Sequence, residues 1–375
     1  MCVRWWARPW GDAAHVRSVI IFCRIVDYFG DAGFCWRLSV ALRELGIARV
    51  LLVIDRLNIL DDLRGPQRVE GVTALPWSVV EERWQRHGVP DEHKADVVIE
   101  AFACRPPQAY LEALSSQAQW LTLDYLATEP WADQAHGQLS PHPSLLHPIA
   151  KRRRWFVPGF SKATGGLLHG RWRHISADER RAWRARLAGG DIDDDTFLVM
   201  AFGYADANWQ RLLELAQQQR PAGFKTVKVW TPKGIEVSQV EFDEVLQSCD
   251  LNFVRGEDSF VRAHWAAAGP WRVPFVWQPY RQSENDHGHK LAGWMDQVLQ
   301  DPALEGLVEL HWAWNGIRPA EAHQALSLPS AWTAFCSSHS RVRDRLHAAC
   351  LRWAARPSLE AHLVAAIEAI DRQNP

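Results

Sequence analysis

Ile25-Val-Asp-Tyr-Phe-Gly-Asp-Ala-Gly-Phe-Cys-Trp-Arg-Leu38 follows, after Arg24, on the apolar run Ser18-Val-Ile-Ile-Phe-Cys23. The run has the length and composition of a buried strand. Behind it, Phe34, Leu38, Ala41, Leu42 and Leu45 recur at helical spacing and stop at Gly46. Asp27 and Asp31 therefore fall in a glycine-bearing turn at the carboxyl end of a strand, where open α/β sheets place ligands and chemistry. An ordinary first βα turn, with Asp31 as a surface or capping residue, fits the same stretch.

The rest of the chain continues the alternation. Arg49–Ile54, Ala95–Phe102 and Trp120–Asp124 read as further strands, and the density of turn residues between Glu129 and Gly170 predicts irregular structure near a cleft or junction. Ser176-Ala-Asp-Glu179 is a capping box that opens a helix to about Leu187. The pattern then restarts with strands over Thr196–Phe202, Lys225–Trp230, Leu251–Val254 and Pro274–Trp277, a helix over Trp209–Gln218, and a helical tail from about Pro302. The expectation is α/β architecture in two Rossmann-like domains facing each other across a cleft. Residues 1–17 form an irregular extension, 18–188 the first domain and 189–351 the second.

Composition narrows the function. With 375 residues, 47% of them hydrophobic, a large core is available, and the net charge of −2 lacks the basic bias of nucleic-acid binders. No apolar run reaches the length that crosses a bilayer. Seven scattered cysteines without a CxxC fit a reduced, cytoplasmic chain. The 21 tryptophans are read as core rather than as sugar platforms. A monomer is expected, without nucleic-acid or membrane partners.

Phe253-Val-Arg-Gly-Glu-Asp-Ser-Phe-Val-Arg262 is the second informative stretch. A strand ends at Val254, Gly256 supplies the turn, and Asp258 or Ser259 caps a helix whose first N–H groups form a phosphate cradle. Arg255 adds a charge-assisted contact to the same phosphates, while Glu257 suits a sugar hydroxyl. A capped helix with an Arg–Glu surface pair is the plainer reading. The loop after Pro274-Phe-Val-Trp277 holds Asp286, His287 and His289, but their spacing matches no strong metal motif.

Together with Ala95–Cys104, Ser140-Pro-His-Pro143, Pro158-Gly-Phe160 with Thr164-Gly-Gly-Leu-Leu168, and Pro274–Gln278, these stretches resemble the bacterial arginine rhamnosyltransferases that modify translation elongation factor P, the EarP family. The resemblance implies an inverting, metal-independent GT-B glycosyltransferase of two Rossmann-like domains, with a C-terminal helix at about 352–375 packing back on the first. It would carry rhamnose from dTDP-β-L-rhamnose to one arginine of elongation factor P, a factor that rescues ribosomes stalled at polyproline. It further implies Asp31 as general base with Asp27 beside it, and Phe202 and Tyr204 near the donor. Gln239 and Phe242 would embrace the thymine, and Arg255, Glu257, Asp258 and Ser259 would form the diphosphate and sugar loop, with Glu257 also in the catalytic set. Two positions depart from the family pattern: Tyr28, where asparagine is usual, and Glu236, where an aromatic is usual. Another GT-B transferase acting on a glycan, or a non-catalytic binder of nucleotide sugars or of the translation factor, are the competing readings.

Overall fold

The computed structural model describes residues 18–65, 67–140, 152–205, 207–232, 237–281, 286–317 and 327–373. Two parallel sheets organise the chain. The first is built from β1 (Ser18–Cys23), β2 (Arg49–Ile54), β3 (Val72–Pro76), β4 (Val97–Ala101), β5 (Gln119–Leu123) and β6 (Arg154–Phe156) in the order β3-β2-β1-β4-β5-β6. That is the doubly wound order, with the order reversing at β1 and β4, so the turns after these strands open into one crevice. Helices α1 (Tyr28–Glu44), α2 (Leu57–Arg64), α3 (Trp77–His87), α4 (Gln108–Glu112) and α5 (Trp131–Ala135) connect the strands. Alternation along β1 feeds both faces. Val19, Ile21 and Cys23 pack with Leu38 and Leu42 of α1, while Ile20 and Phe22 pack with Trp77, Trp84 and Tyr110.

After α6 (Ala177–Ala188), whose capping box forms as the sequence predicts, the second sheet begins. It contains β7 (Thr196–Ala201), β8 (Thr226–Trp230), β9 (Leu251–Arg255) and β10 (Phe275–Gln278) in the order β10-β9-β7-β8. Helices α7 (Trp209–Gln218), α8 (Gln239–Ser248), α9 (Asp258–Ala268), α10 (Asp286–Val298), α11 (Glu305–Asn315) and α12 (Leu328–Ala354) surround it. The last helix, α13 (Leu359–Gln373), returns to the first sheet, and its Leu359, Leu363 and Ile367 join the α1 side of that core. Two sheet-centred halves thus meet with the carboxyl ends of β1, β4 and β9 around one cleft, the GT-B arrangement.

Three expectations are corrected. Asp31 lies inside the first turn of α1, not in the preceding loop, because the helix starts at Tyr28 with Asp27 as its N-cap. Neither Asp258 nor Ser259 caps α9: Glu257 holds the N-cap position, with no capping bond from its side chain. The turn-rich region after Glu129 contains a short helix and β6, so it is not wholly irregular. The tryptophans do serve the core, Trp120, Trp277, Trp294 and Trp332 being among its largest fully buried side chains. The six described cysteines are buried and free. Residues 1–17, Pro141–Pro143 and Glu236 lie outside the described residues.

Candidate active site

The cleft cavity is lined from the first half by Asp27, Asp31, Phe102 and Tyr125, and from the second by Gly256, Glu257, Asp258, Tyr280 and Lys290. Asp31 is 3% exposed. Its Oδ2 accepts from the backbone N–H groups of Val26 (2.7 Å) and Asp27 (2.9 Å). Burial outweighs these two bonds and pushes the Asp31 carboxyl up to about 6, and the negative charges of Asp27 and Glu257 add to the rise. The apolar neighbourhood is the stacked pair Phe102 and Tyr125, with ring centroids 4.3 Å apart, and Phe34 at 5.6 Å from Phe102. Phe102 and Ala103 hold φ of 56° and 51° to place this wall, a strained conformation for residues with a side chain.

Asp27 turns the other way, across the cleft. Its Oδ1 lies 3.4 Å from Arg255 Nη1, and its Oδ2 accepts from the Tyr204 hydroxyl at 3.3 Å. Gly256 makes this approach possible: it adopts φ of 59°, and a Cβ there would sit 2.6 Å from Asp27 Oδ2. The Arg255 guanidinium lies over the rings of Phe202 (5.0 Å) and Tyr204 (4.7 Å), so the Phe-x-Tyr segment after β7 is a platform for this cation. Phe242 packs edge-on against Phe202 with centroids 5.2 Å apart.

Glu257 is engaged at both oxygens. Oε2 accepts from the Leu126 N–H at 2.7 Å, and Oε1 is paired with Lys290. Burial raises its carboxyl above the ordinary range, while the Lys290 charge opposes the rise. Ser259 Oγ accepts from the Arg255 N–H (3.2 Å) and donates to the Arg255 carbonyl, shaping the loop before α9. Among the described residues no three His, Cys, Asp or Glu side chains converge as a metal site.

Two predicted residues also have protein partners across the halves. Gln239, expected at the thymine, donates from Nε2 to the Gly33 carbonyl of α1 at 2.8 Å and is 7% exposed. Asp258, expected at the diphosphate, lies 3.3 Å from Arg37 Nε. Arg37 also grips Asp243 of α8 through two bonds of 2.8 and 2.9 Å, and Arg262 of α9 grips the same carboxylate at 3.0 and 2.7 Å. This four-charge cluster joins the two halves below the cleft. Sequence reasoning missed it, together with Lys290 and Tyr125. Arg37 and Lys290 lie inside stretches singled out by motif, but only the fold shows what they face.

Comparison with known proteins identifies the family. The chain matches the profile of the elongation factor P (EF-P) rhamnosyltransferase EarP over residues 19–241 and 227–368. It is 34% identical to the protein-arginine rhamnosyltransferase of Pseudomonas putida, an alignment covering 92% of this chain and 97% of that one. Its identity to the protein-arginine rhamnosyltransferase of Neisseria meningitidis serogroup B is 30%, over 74% and 78% of the two chains. The solved structure that describes EarP-mediated arginine glycosylation of translation elongation factor EF-P superposes with a TM-score of 0.53 at 22% identity, covering 96% of this chain and 99% of that one, which agrees with the fold. From the cleft, its two facing halves and these matches, the chain belongs to the EarP family of elongation factor P rhamnosyltransferases and is a glycosyltransferase.

Proposed function

We propose that this chain transfers rhamnose from dTDP-β-L-rhamnose to a single arginine of elongation factor P, with inversion and without a metal ion. The observation that carries the reading is the placement of Asp31, a buried carboxylate with one oxygen fixed by two backbone N–H groups, opposite the Arg255–Ser259 loop in one cavity. In the cell this makes the chain a cytoplasmic modifier that activates the factor at polyproline-stalled ribosomes. Among the described residues no helix is long and apolar enough to cross a membrane.

The chemistry sets the demands. An arginine, with a pKa of roughly 13, is protonated and poorly nucleophilic. An aspartate at its ordinary value of about 4 lies roughly nine units away, on the order of 12 kcal/mol. Raising Asp31 to about 6 narrows the gap by roughly two units, about 3 kcal/mol, which is useful but leaves ground-state deprotonation out of reach. The carboxylate therefore acts late. It clamps the guanidinium and aims one nitrogen at the anomeric carbon. As the N–C bond forms, the C–O bond to the diphosphate breaks with its electron pair on the leaving oxygen, and the nitrogen's proton passes to Asp31. A single displacement of this kind inverts the anomeric centre.

On the donor side, Arg255 and the first-turn N–H groups of α9 receive the charge that develops on the diphosphate. Phe202, Phe242 and the Gln239 amide take the thymine. The test is intact-mass analysis of elongation factor P after incubation with this chain and dTDP-β-L-rhamnose, with and without EDTA. The expected result is a gain of one deoxyhexose, located on one arginine and unaffected by chelation. No mass change with folded enzyme and both substrates would overturn the assignment, and transfer that needs added Mn²⁺ or Mg²⁺ would overturn the metal-free mechanism.

A further inference from the structure

We propose that Glu257 and Lys290 are an exchange pair that couples the two substrates: the donor diphosphate draws Lys290 away, and the freed Glu257 carboxylate receives the acceptor guanidinium beside Asp31. This inference rests on the reading above, since it requires an anionic donor and a cationic acceptor in the same cavity.

The geometry provides the parts. Glu257, at the N-cap of α9, and Lys290, on α10, line the cavity that also holds Asp31 and Asp27. They are paired with each other, and neither is fully sealed: their side chains are 24% and 19% exposed. Each presents to one incoming substrate a charge that the other masks. A diphosphate entering at the α9 loop meets a carboxylate that repels it and an ammonium that is already occupied. A guanidinium entering beside Asp31 meets the reverse. With both substrates present, the one pair is replaced by two: Lys290 with diphosphate and Glu257 with guanidinium. Both incoming charges then meet a free counter-charge, so each substrate binds better when the other is present, and the coupling is reciprocal by linkage.

The backbones around the pair are fixed, which makes the exchange a side-chain event. Glu257 Oε2 is anchored on the Leu126 N–H at 2.7 Å. The Lys290 carbonyl accepts from Thr128 Oγ1, and the Thr128 carbonyl accepts from Gln297 Nε2, both at 2.7 Å. Gly293 sits so close to this segment that a Cβ would lie 2.6 Å from the Thr128 carbonyl oxygen. Helix α10 is thus clamped to the first half, and only the flexible four-carbon stem of Lys290 is left to swing. Lys290 and Glu257 thus each contact one substrate directly, in place of the contact they give up with each other.

The experiment measures elongation factor P affinity by calorimetry with and without saturating dTDP, which carries the diphosphate but no rhamnose to transfer and so permits no turnover. In the unaltered chain dTDP is expected to tighten acceptor binding about tenfold, within the usual range of coupling between sites. In Lys290→Met, dTDP should bind more weakly and acceptor binding should respond to it less than about twofold, because Glu257 is already free. Glu257→Gln keeps the shape and should be equally uncoupled, with acceptor binding weak in both conditions. If Lys290→Met fails to fold, the isosteric Glu257→Gln decides alone. Absence of coupling in the unaltered chain, or full coupling retained in a folded variant, overturns the exchange. An unaltered chain that transfers rhamnose yet shows no coupling loses this inference and keeps the proposed function, whereas one that transfers nothing loses both.

Discussion

Two ionic clusters cross the cleft, and they are built differently. In the first, Arg37, Asp243 and Arg262 have side chains only 5%, 6% and 1% exposed, and the Asp243 carboxylate receives bonds of 2.7–3.0 Å from both guanidinium groups. In the second, Asp27, Arg255, Glu257 and Lys290 are 18–24% exposed, and the Asp27–Arg255 contact is 3.4 Å. A fully desolvated and satisfied cluster has nothing to offer a ligand. It holds α1 against α8 and α9, and so sets the distance between the Asp31 turn and the Arg255–Ser259 loop. The partly exposed cluster keeps charges that a diphosphate and a guanidinium can take over. One cluster aligns the halves and the other serves the substrates.

The largest expected effect breaks the first cluster. Asp243→Ala strips both guanidinium groups of the carboxylate they share, leaving Asp258, which pairs with Arg37 alone, as the one negative charge for two buried arginines, and should cost about 3–5 kcal/mol in urea unfolding. Asp27→Asn, in the exposed cluster, should cost less than about 1 kcal/mol while still lowering transfer. Equal stability loss in the two variants would erase the distinction.

The next effect is in pH. Transfer needs the ionised Asp31, so the rate should rise with pH through about 6 and fall about tenfold per unit below it, measured at saturating donor. A profile flat between pH 5 and 7 would remove Asp31 from proton transfer.

The smallest effect is local. Tyr28 holds φ of 29° at the start of α1, a conformation that asparagine adopts more readily than tyrosine. Tyr28→Asn should therefore raise stability by up to about 1 kcal/mol in thermal unfolding. An unchanged or lowered melting temperature would mean that the Tyr28 ring, packed on Phe29 with centroids 4.4 Å apart, offsets the strain.

Much of this was legible in the sequence for identifiable reasons. Strands buried on both faces, such as β1, β2 and β7, are unbroken apolar runs, and the Ser176 capping box states its helix outright. The strands left unread, β3 and β6, are the two edges of the first sheet. One ends in Pro76 with no residue fully buried, and the other spans only Arg154–Phe156, so neither carries a clear hydrophobic pattern. Asp31, Asp27 and the Arg255–Ser259 loop were found because βα turns are local. The partners of those groups were not, because nothing local joins Arg37 to Asp243, 206 residues away, or Lys290 to Glu257. For the same reason Gln239 was read for a nucleotide base when its amide also ties α8 to α1.

Asp31→Asn tests the central claim most directly, because one substitution separates catalysis, donor binding and stability. Asn Oδ1 can still accept from the Val26 and Asp27 N–H groups, so the turn keeps its shape. The Asp31 carboxyl titrates higher in the fold than in an unfolded chain. Its contribution to stability is therefore present below about pH 4 and is lost as pH rises through about 6, so at neutral pH the buried charge destabilises the protein. In parallel assays on the same preparation, transfer should fall at least about 100-fold, dTDP affinity should stay within a few-fold, and the melting temperature at pH 7 should rise. Substantial residual transfer, or dTDP affinity lost in step with transfer, would contradict the account.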